Sequence, residues 1–345
     1  MSVKEKTALL FSRAGVLRAL EQLPTNPGVI VFNHHRIGDR AACEYDRELF
    51  SASAEQFEFQ VAYIKRRFPV LLPYEVADMI ARKKKLTRMH AMITFDDGYI
   101  DNYMIAYKLL HAYQVPAAFY LVSDFVGTGF LPWWDVIAYL VRRTKKRSLQ
   151  LTCCDERPVM LEPDREAAIS TVVSAYKSDL NQDAPAFLEE LRHETEVEIE
   201  GEERRFLNWE EAREMAAGSM EIGSHTQTHP LMSKLSPDDQ RRELQRSKAT
   251  IEEQMGRPVD SFAYPNGSPK DVTPITLEQV KEAGYKTAFS FYGGINRHSW
   301  SEPLNLLRVS PDPRSGSFRL DAVLSSQFGS VEPTLRRIAS HLHRS

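Results

Sequence analysis

Apolar runs of a few residues alternate along this chain with longer stretches whose apolar positions recur at helical spacing. Val29-Ile30-Val31-Phe32, Met92-Ile93-Thr94-Phe95, Ala117 to Val122, Met220 to Gly223, Ser261 to Tyr264, Thr287 to Phe291 and Leu306 to Val309 read as strands. The first is apolar at every position, as in strands buried on both faces. Phe57, Val61 and Ile64 predict a helix over residues 54–67, Pro73 opens another, and Ile100 to Tyr113, Pro237 to Met255 and Leu277 to Ala283 continue the series. Asn208 and Glu211 stand at capping-box spacing, and Gly256 is placed to stop the helix before it. Repeated strand and helix units in this number favour a (β/α) barrel or a doubly wound sheet.

The alternation breaks between residues 133 and 205, a charged stretch with helical runs at Val136 to Val141 and Ala167 to Tyr176, which reads as an insertion. Residues 1–26 form an N-terminal helical extension in this reading, with Leu10, Leu17 and Leu20 on one face. Residues 27–320 form the barrel, and residues 321–345 a C-terminal helical tail. At 345 residues, 42% of them hydrophobic, the chain can bury one large core or two modest ones. A net charge of -3 leaves no electrostatic footprint for nucleic acid, and no run approaches transmembrane length. Cys43, Cys153 and Cys154 form neither a CxxC pair nor an even disulfide framework, and no signal-peptide core stands at the start. The expected location is cytoplasmic, with association at a membrane face left open.

Candidate chemistry concentrates where strands end. Asp96 and Asp97 close one strand and precede a helical run, a position from which side chains enter the crevice where α/β folds bind ligands. Asp-Gly between apolar residues also suits a hairpin, but the helical period after Gly98 gives no second strand. His225 and His229, four apart and directly after another strand, can turn both imidazoles to one point. Two histidines and one carboxylate are a common catalytic metal set, and a second, unligated carboxylate beside them can accept a proton.

These segments resemble the motifs of the polysaccharide deacetylases of the NodB homology type, carbohydrate esterase family 4: TFDDGY the first motif, SHTQTHP the second and FAYPNG the third, in the family's order. The resemblance spans roughly residues 29–309 once the insertion is set aside. It implies a distorted (β/α) barrel with a mainly helical insertion and a divalent metal at the strand ends. Carried over by position, it makes Asp96 the general base and Asp97, His225 and His229 the ligands, with zinc the natural partner of that set. The reaction implied is hydrolysis of an N-acetyl group on an amino sugar by metal-activated water, with a backbone N–H near Tyr264, Pro265 and Asn266 at the oxyanion.

Two features depart from the family pattern. Ala263 stands where the third motif carries an arginine that orients the base, and the late Leu-x-His that supplies the general acid is replaced by Leu306-Leu307-Arg308-Val309. His35, in the run NHHRI at the first strand's end, is the candidate acid, and His34 is its rival. Trp134 is a candidate for stacking on a sugar face. The expected substrate is an N-acetylated saccharide, either a polymer, an oligosaccharide or a lipid-linked precursor. A deformylase or amidase acting on a small amide, and a barrel that binds glycans without turnover, are the competing readings.

Overall fold

A computed structural model describes residues 16–22, 25–152, 158–178, 183–199, 203–297 and 302–311, with 318, 322 and 323. Leu10, Cys153, Cys154 and nearly all of the expected C-terminal tail lie outside them. The chain divides into two compact units, Met1–Gly38 with Phe50–Thr128 and Phe206–Ser345, and Asp39–Leu49 with Gly129–Arg205.

In chain order the first unit contains α1 (Val16–Gln22), β1 (Gly28–His34), β2 (Arg36–Ile37), β3 (Phe50–Ala52), α2 (Ala54–Arg67), α3 (Pro73–Ala81) and β4 (Met89–Phe95). A π-helical stretch, Asn102–Tyr107, runs into α4 (Lys108–Ala112), followed by β5 (Ala118–Leu121). The second unit contributes α5 (Trp133–Arg143), β6 (Ser148–Leu149), β7 (Val159–Met160), α6 (Arg165–Lys177) and α7 (Ala184–Thr195). The first unit then resumes with α8 (Trp209–Ala217), β8 (Glu221–Ser224), α9 (Pro237–Met255), β9 (Ser261–Ala263), α10 (Pro274–Glu282), β10 (Thr287–Phe289) and β11 (Asn296–Arg297).

Seven strands form one curled sheet in the order β10-β9-β8-β5-β4-β1-β11, parallel throughout except where β11 meets β1. Of the barrel and the doubly wound sheet that the alternating pattern favours, the structure is the barrel type, as a curled half-barrel. Strand side chains alternate between two faces, and both faces are apolar. Val29, Val31, Met92, Ala118, Tyr120, Ala263, Phe289 and Leu306 make one buried cluster. Ile30, Phe32, Ile93, Phe95, Phe119, Ile222 and Phe262 make the other, packed with helix residues such as Phe57, Val61, Ile64 and Leu244. Phe95 and Phe119 stack at 4.7 Å across neighbouring strands. Each such side chain contributes about 1.5–3 kcal/mol when fully buried, so the two faces together fix the register that aligns the strand ends.

The last strand of the sequence reading, Leu306 to Val309, is held by single bridges on both sides. Leu306 pairs with Phe289 of β10 and Val309 with Phe32 of β1, so this segment links β10 to β1. Helix boundaries follow local chemistry. Ser53 and Gln56 form a capping box at α2, Asn208 and Glu211 the expected one at α8, and Gly256 ends α9 at φ 64°.

The second unit has its own apolar core, in which Val136, Ile137, Leu140, Leu149, Leu161, Ile169, Val172 and Leu191 are buried. Arg165 donates to the carbonyl oxygens of Val141 and Thr144, both at 2.8 Å, and so satisfies the C-terminal end of α5. The recruitment of Asp39–Leu49 into this unit has no signal in the pattern of residues. Its anchors are single contacts such as the Asp46 N–H to Asp135 Oδ1 at 2.9 Å and Arg47 to Glu166 at 3.1 Å. Among the described residues, no helix is long and apolar enough to cross a membrane.

Candidate active site

The carboxylate pair lies at the end of β4, where the chain makes a three-residue turn: the Gly98 N–H donates to the Asp96 carbonyl at 3.0 Å, and Asp97 between them has φ 73°. That hand of γ-turn is uncommon and strained, at a cost of order 1–3 kcal/mol for a non-glycine residue. Gly98, itself at φ 78°, passes so close to Leu121 that a Cβ would lie 2.8 Å from the leucine's Cδ2. The sharp turn sends the side chains of Asp96 and Asp97 to different partners.

Asp97 meets the two histidines. Its Oδ1 lies 3.5 Å from His225 Nε2 and 3.4 Å from His229 Nε2, and all three side chains are buried or nearly so. His225 Nδ1 lies 2.7 Å from the carbonyl oxygen of Ala263. A carbonyl can only accept, so Nδ1 carries the proton and Nε2 presents its lone pair toward Asp97. Burial lowers the pKa of His225, and burial together with neighbouring His225 puts His229 well below the ordinary value, so both imidazoles are neutral near pH 7. An anionic oxygen facing a nitrogen lone pair is an arrangement that a cation stabilises. A tetrahedral zinc ion with bonds of 2.0–2.1 Å separates its ligands by about 3.3–3.4 Å, close to the two distances found here. The donor set therefore fits a small divalent cation.

The loop carrying the histidines is pinned from outside. Glu243 on α9 accepts the backbone N–H groups of Gln227 and Thr228, each at 2.9 Å, and the Thr228 hydroxyl at 2.7 Å. Thr226 and His229 have φ 70° and 60°, and the Thr226 hydroxyl accepts the His229 N–H at 3.0 Å. Glu243 and the Thr226 hydroxyl hold this loop in its left-handed turns.

Asp96 is buried beside this cluster and has partners at both oxygens. Arg308 Nη1 donates to Oδ1 at 2.7 Å and Asn33 Nδ2 to Oδ2 at 3.1 Å. Burial by itself pushes the Asp96 carboxyl up, but the adjacent Arg308 guanidinium outweighs it and holds the group well below the usual carboxylate range. Neither Arg308 nor Asn33 is foreseen by the sequence reading, in which Arg308 marks only the missing late histidine.

His35 and His34 separate cleanly. His35 Nε2 lies 3.9 Å from Asp96 Oδ2, with its side chain 25% exposed, and burial lowers its pKa to about 4. The π-helical stretch and the residue before it secure its backbone: Asn102 Nδ2 donates to the His35 carbonyl at 2.7 Å, and Asp101 accepts from Arg36 Nε at 2.9 Å and from the Ile37 N–H at 3.0 Å. His34 points to the opposite face, stacks on Phe95 and bonds Gln60 at 2.9 Å. Strand alternation thus makes His34 part of the sheet-helix core and leaves His35 beside the carboxylate.

The residues expected at the oxyanion and at the sugar face have other surroundings. The Tyr264 N–H pairs with the Phe289 carbonyl at 3.1 Å and its hydroxyl donates to Leu304 O at 2.8 Å, so the ring sits in the core and the amide serves the sheet rather than an oxyanion. Pro265 is buried and has no N–H to offer; the next residue, Asn266, is exposed at φ 58°, and its side-chain Nδ2 donates to Asp271 Oδ2. Trp134 belongs to the second unit and is buried, edge-on to Trp133, so its ring has no bare face for a sugar.

Known proteins resemble this chain in sequence and in fold. The chain is similar to YxkH of Bacillus subtilis (strain 168), assigned by name to the polysaccharide deacetylases, at 21% identity over 266 residues, 76% of this chain and 67% of the relative. Its fold is similar to that of a de-N-acetylase from Aggregatibacter actinomycetemcomitans, with TM-score 0.56, 18% identity and coverage of 86% and 99% of the two chains. It is also similar to the Streptococcus pyogenes deacetylase PplD in complex with acetate, with TM-score 0.54, 17% identity and coverage of 88% and 100%. The polysaccharide deacetylase family model matches residues 83–288, more than half of the sequence, and the chain therefore belongs to the polysaccharide deacetylase family.

Proposed function

We propose that this protein is a metal-dependent hydrolase that removes N-acetyl groups from an amino-sugar-containing saccharide. The observation that carries the reading is the division of labour at the end of β4: Asp97 joins His225 and His229, while Asp96, its immediate neighbour, is held apart from them by Arg308 and Asn33. Asp97, His225 and His229 would hold the divalent cation, with zinc the best match to two imidazoles and a carboxylate. Such a cation supplies Lewis acidity, acidifying water and polarising an amide carbonyl.

Asp96 takes the proton of the attacking water. His35 stands next to the carboxylate, its Nε2 facing Asp96 Oδ2, and takes over the proton that Asp96 accepts. The 3.9 Å gap between them closes by a small ring rotation or through one water. The resulting imidazolium delivers the proton to the leaving amine nitrogen, and acetate and a free amino sugar result. Acetate in the complex of a solved relative is consistent with that product.

The test is acetate release from a panel of N-acetylated oligosaccharides by protein stripped with a chelator and then restored with zinc, cobalt, nickel or manganese. Loss on stripping and recovery on restoration support the proposal. Acetate release indifferent to both steps contradicts it.

A further inference from the structure

We propose that Arg308, delivered by the segment that links β10 to β1, is the positioning residue for Asp96 and fills the role left open by Ala263. The inference rests on the reading of Asp96 as the base.

Ala263 cannot orient a carboxylate, and its carbonyl oxygen is already engaged by His225. The guanidinium comes instead from residue 308, which is only 1% exposed. Its Nη1 donates to Asp96 Oδ1 at 2.7 Å and to Asn33 Oδ1 at 2.8 Å, and its Nε donates to the Ser290 carbonyl at 3.1 Å. Asn33 completes the frame. Its oxygen also accepts the Thr94 hydroxyl at 2.8 Å, which fixes the orientation of the amide and leaves Nδ2 to donate to Asp96 Oδ2 at 3.1 Å. Each carboxylate oxygen therefore has one anchored donor, and the plane of the base is set by two groups that are themselves set by others.

The anchors arrive through backbone pairing. The Val309 N–H donates to Val31 O at 2.8 Å and the Asn33 N–H to Val309 O at 2.9 Å. On the other side, the Leu306 N–H donates to Ala288 O at 2.8 Å and the Ser290 N–H to Leu306 O at 2.9 Å. Arg308 is thus locked between β10 and β1. Both Asn33 and Arg308 fall outside residues 83–288, the part of the chain that matches the family model. The base lies inside that segment and its supports lie outside it.

A buried ion pair that merely closes the barrel would show the same contacts, so the experiment has to separate the two roles. Arg308→Met and Arg308→Lys are compared with wild type for turnover, KM, bound metal and melting temperature, alongside Asp96→Asn and the double variant Asp96→Asn/Arg308→Met. A misplaced base costs on the order of 100-fold in turnover. Arg308→Met is expected to lose about that much with KM and metal content little changed, and Arg308→Lys, which keeps the charge without the fork, to recover part of the loss. If Arg308→Met does not fold, the same decision falls to Arg308→Lys, expected to fold and to turn over at least about tenfold slower than wild type. A folded variant of either kind with wild-type turnover overturns the proposal.

Melting decides the pairing even if wild type releases no acetate, a result that would sink the deacetylase reading by itself. The two single variants are expected to lower the melting temperature by more, in sum, than the double variant does. Strictly additive shifts would overturn the proposal.

Discussion

The Nδ1–H of His225 donates to the carbonyl oxygen of Ala263, 2.7 Å away, and thereby joins the second motif's first histidine to the end of β9. This bond sets the tautomer that leaves Nε2 free to ligate. Replacing His225 by Ala, or Asp97 by Ala, removes one member of the proposed three-residue ligand set. Each variant is expected to lose stoichiometric metal when the purified protein is measured by elemental analysis, while circular dichroism stays native.

Glu243 holds the backbone between the two histidines. Glu243→Ala frees two backbone N–H donors and loosens the turn that carries His229. Its expected effect is a metal affinity lower by roughly 10–100-fold, read by competition with a chromogenic chelator. An unchanged affinity would remove Glu243 from the support of the site.

His34 and His35 are neighbours with opposite surroundings, and their variants should diverge. His35→Ala is expected to lower turnover by about 10²–10⁴-fold with metal retained and little change in stability. His34→Ala deletes a ring packed on Phe57 and Phe95 together with the bond to Gln60, and should destabilise by roughly 2–5 kcal/mol. Turnover of the fraction that remains folded should stay near wild type. Chemical denaturation and active-site-normalised kinetics on the two variants separate these outcomes.

Glu221, at the start of β8, accepts the Tyr74 N–H at 3.0 Å and the Ser261 hydroxyl at 2.8 Å, and burial raises its pKa to about 7. The folded protein therefore holds a proton that the unfolded chain releases near its ordinary value of 4.5. Stability should fall as pH rises from about 4.5 to about 7 and then level off, by at most roughly 3 kcal/mol. Gln can keep both contacts, because its amide oxygen accepts from Tyr74 and the serine hydroxyl can accept from its NH₂ group. Glu221→Gln should flatten this part of the profile and be the more stable form at pH 8, measured by urea unfolding across the range.

Much of the fold was legible because buried parallel strands announce themselves as apolar runs, as at Val29 to Phe32, and helices by their caps, as at Asn208 and Glu211. The grouping of Asp97 with His225 and His229 was legible too, since each stands at the end of a strand and parallel strands bring their ends together. Arg308 was not. It lies 212 residues from Asp96, and only the pairing of Leu306 with Phe289 and Val309 with Phe32 brings it to the carboxylate. Asn33 depends likewise on the β1–β4 register, which sets it opposite Thr94. Tyr264 misled for a related reason: a motif position does not reveal whether its N–H is already paired within a sheet.

The division between Asp96 and Asp97 is tested most directly by measuring bound metal and acetate release on the same preparations of wild type, Asp96→Asn and Asp97→Asn. Asp96→Asn should keep its metal and lose turnover by about 10²–10⁴-fold, whereas Asp97→Asn should lose both. Acetate release by metal-loaded Asp96→Asn at the wild-type rate would contradict the assignment of Asp96 as the base.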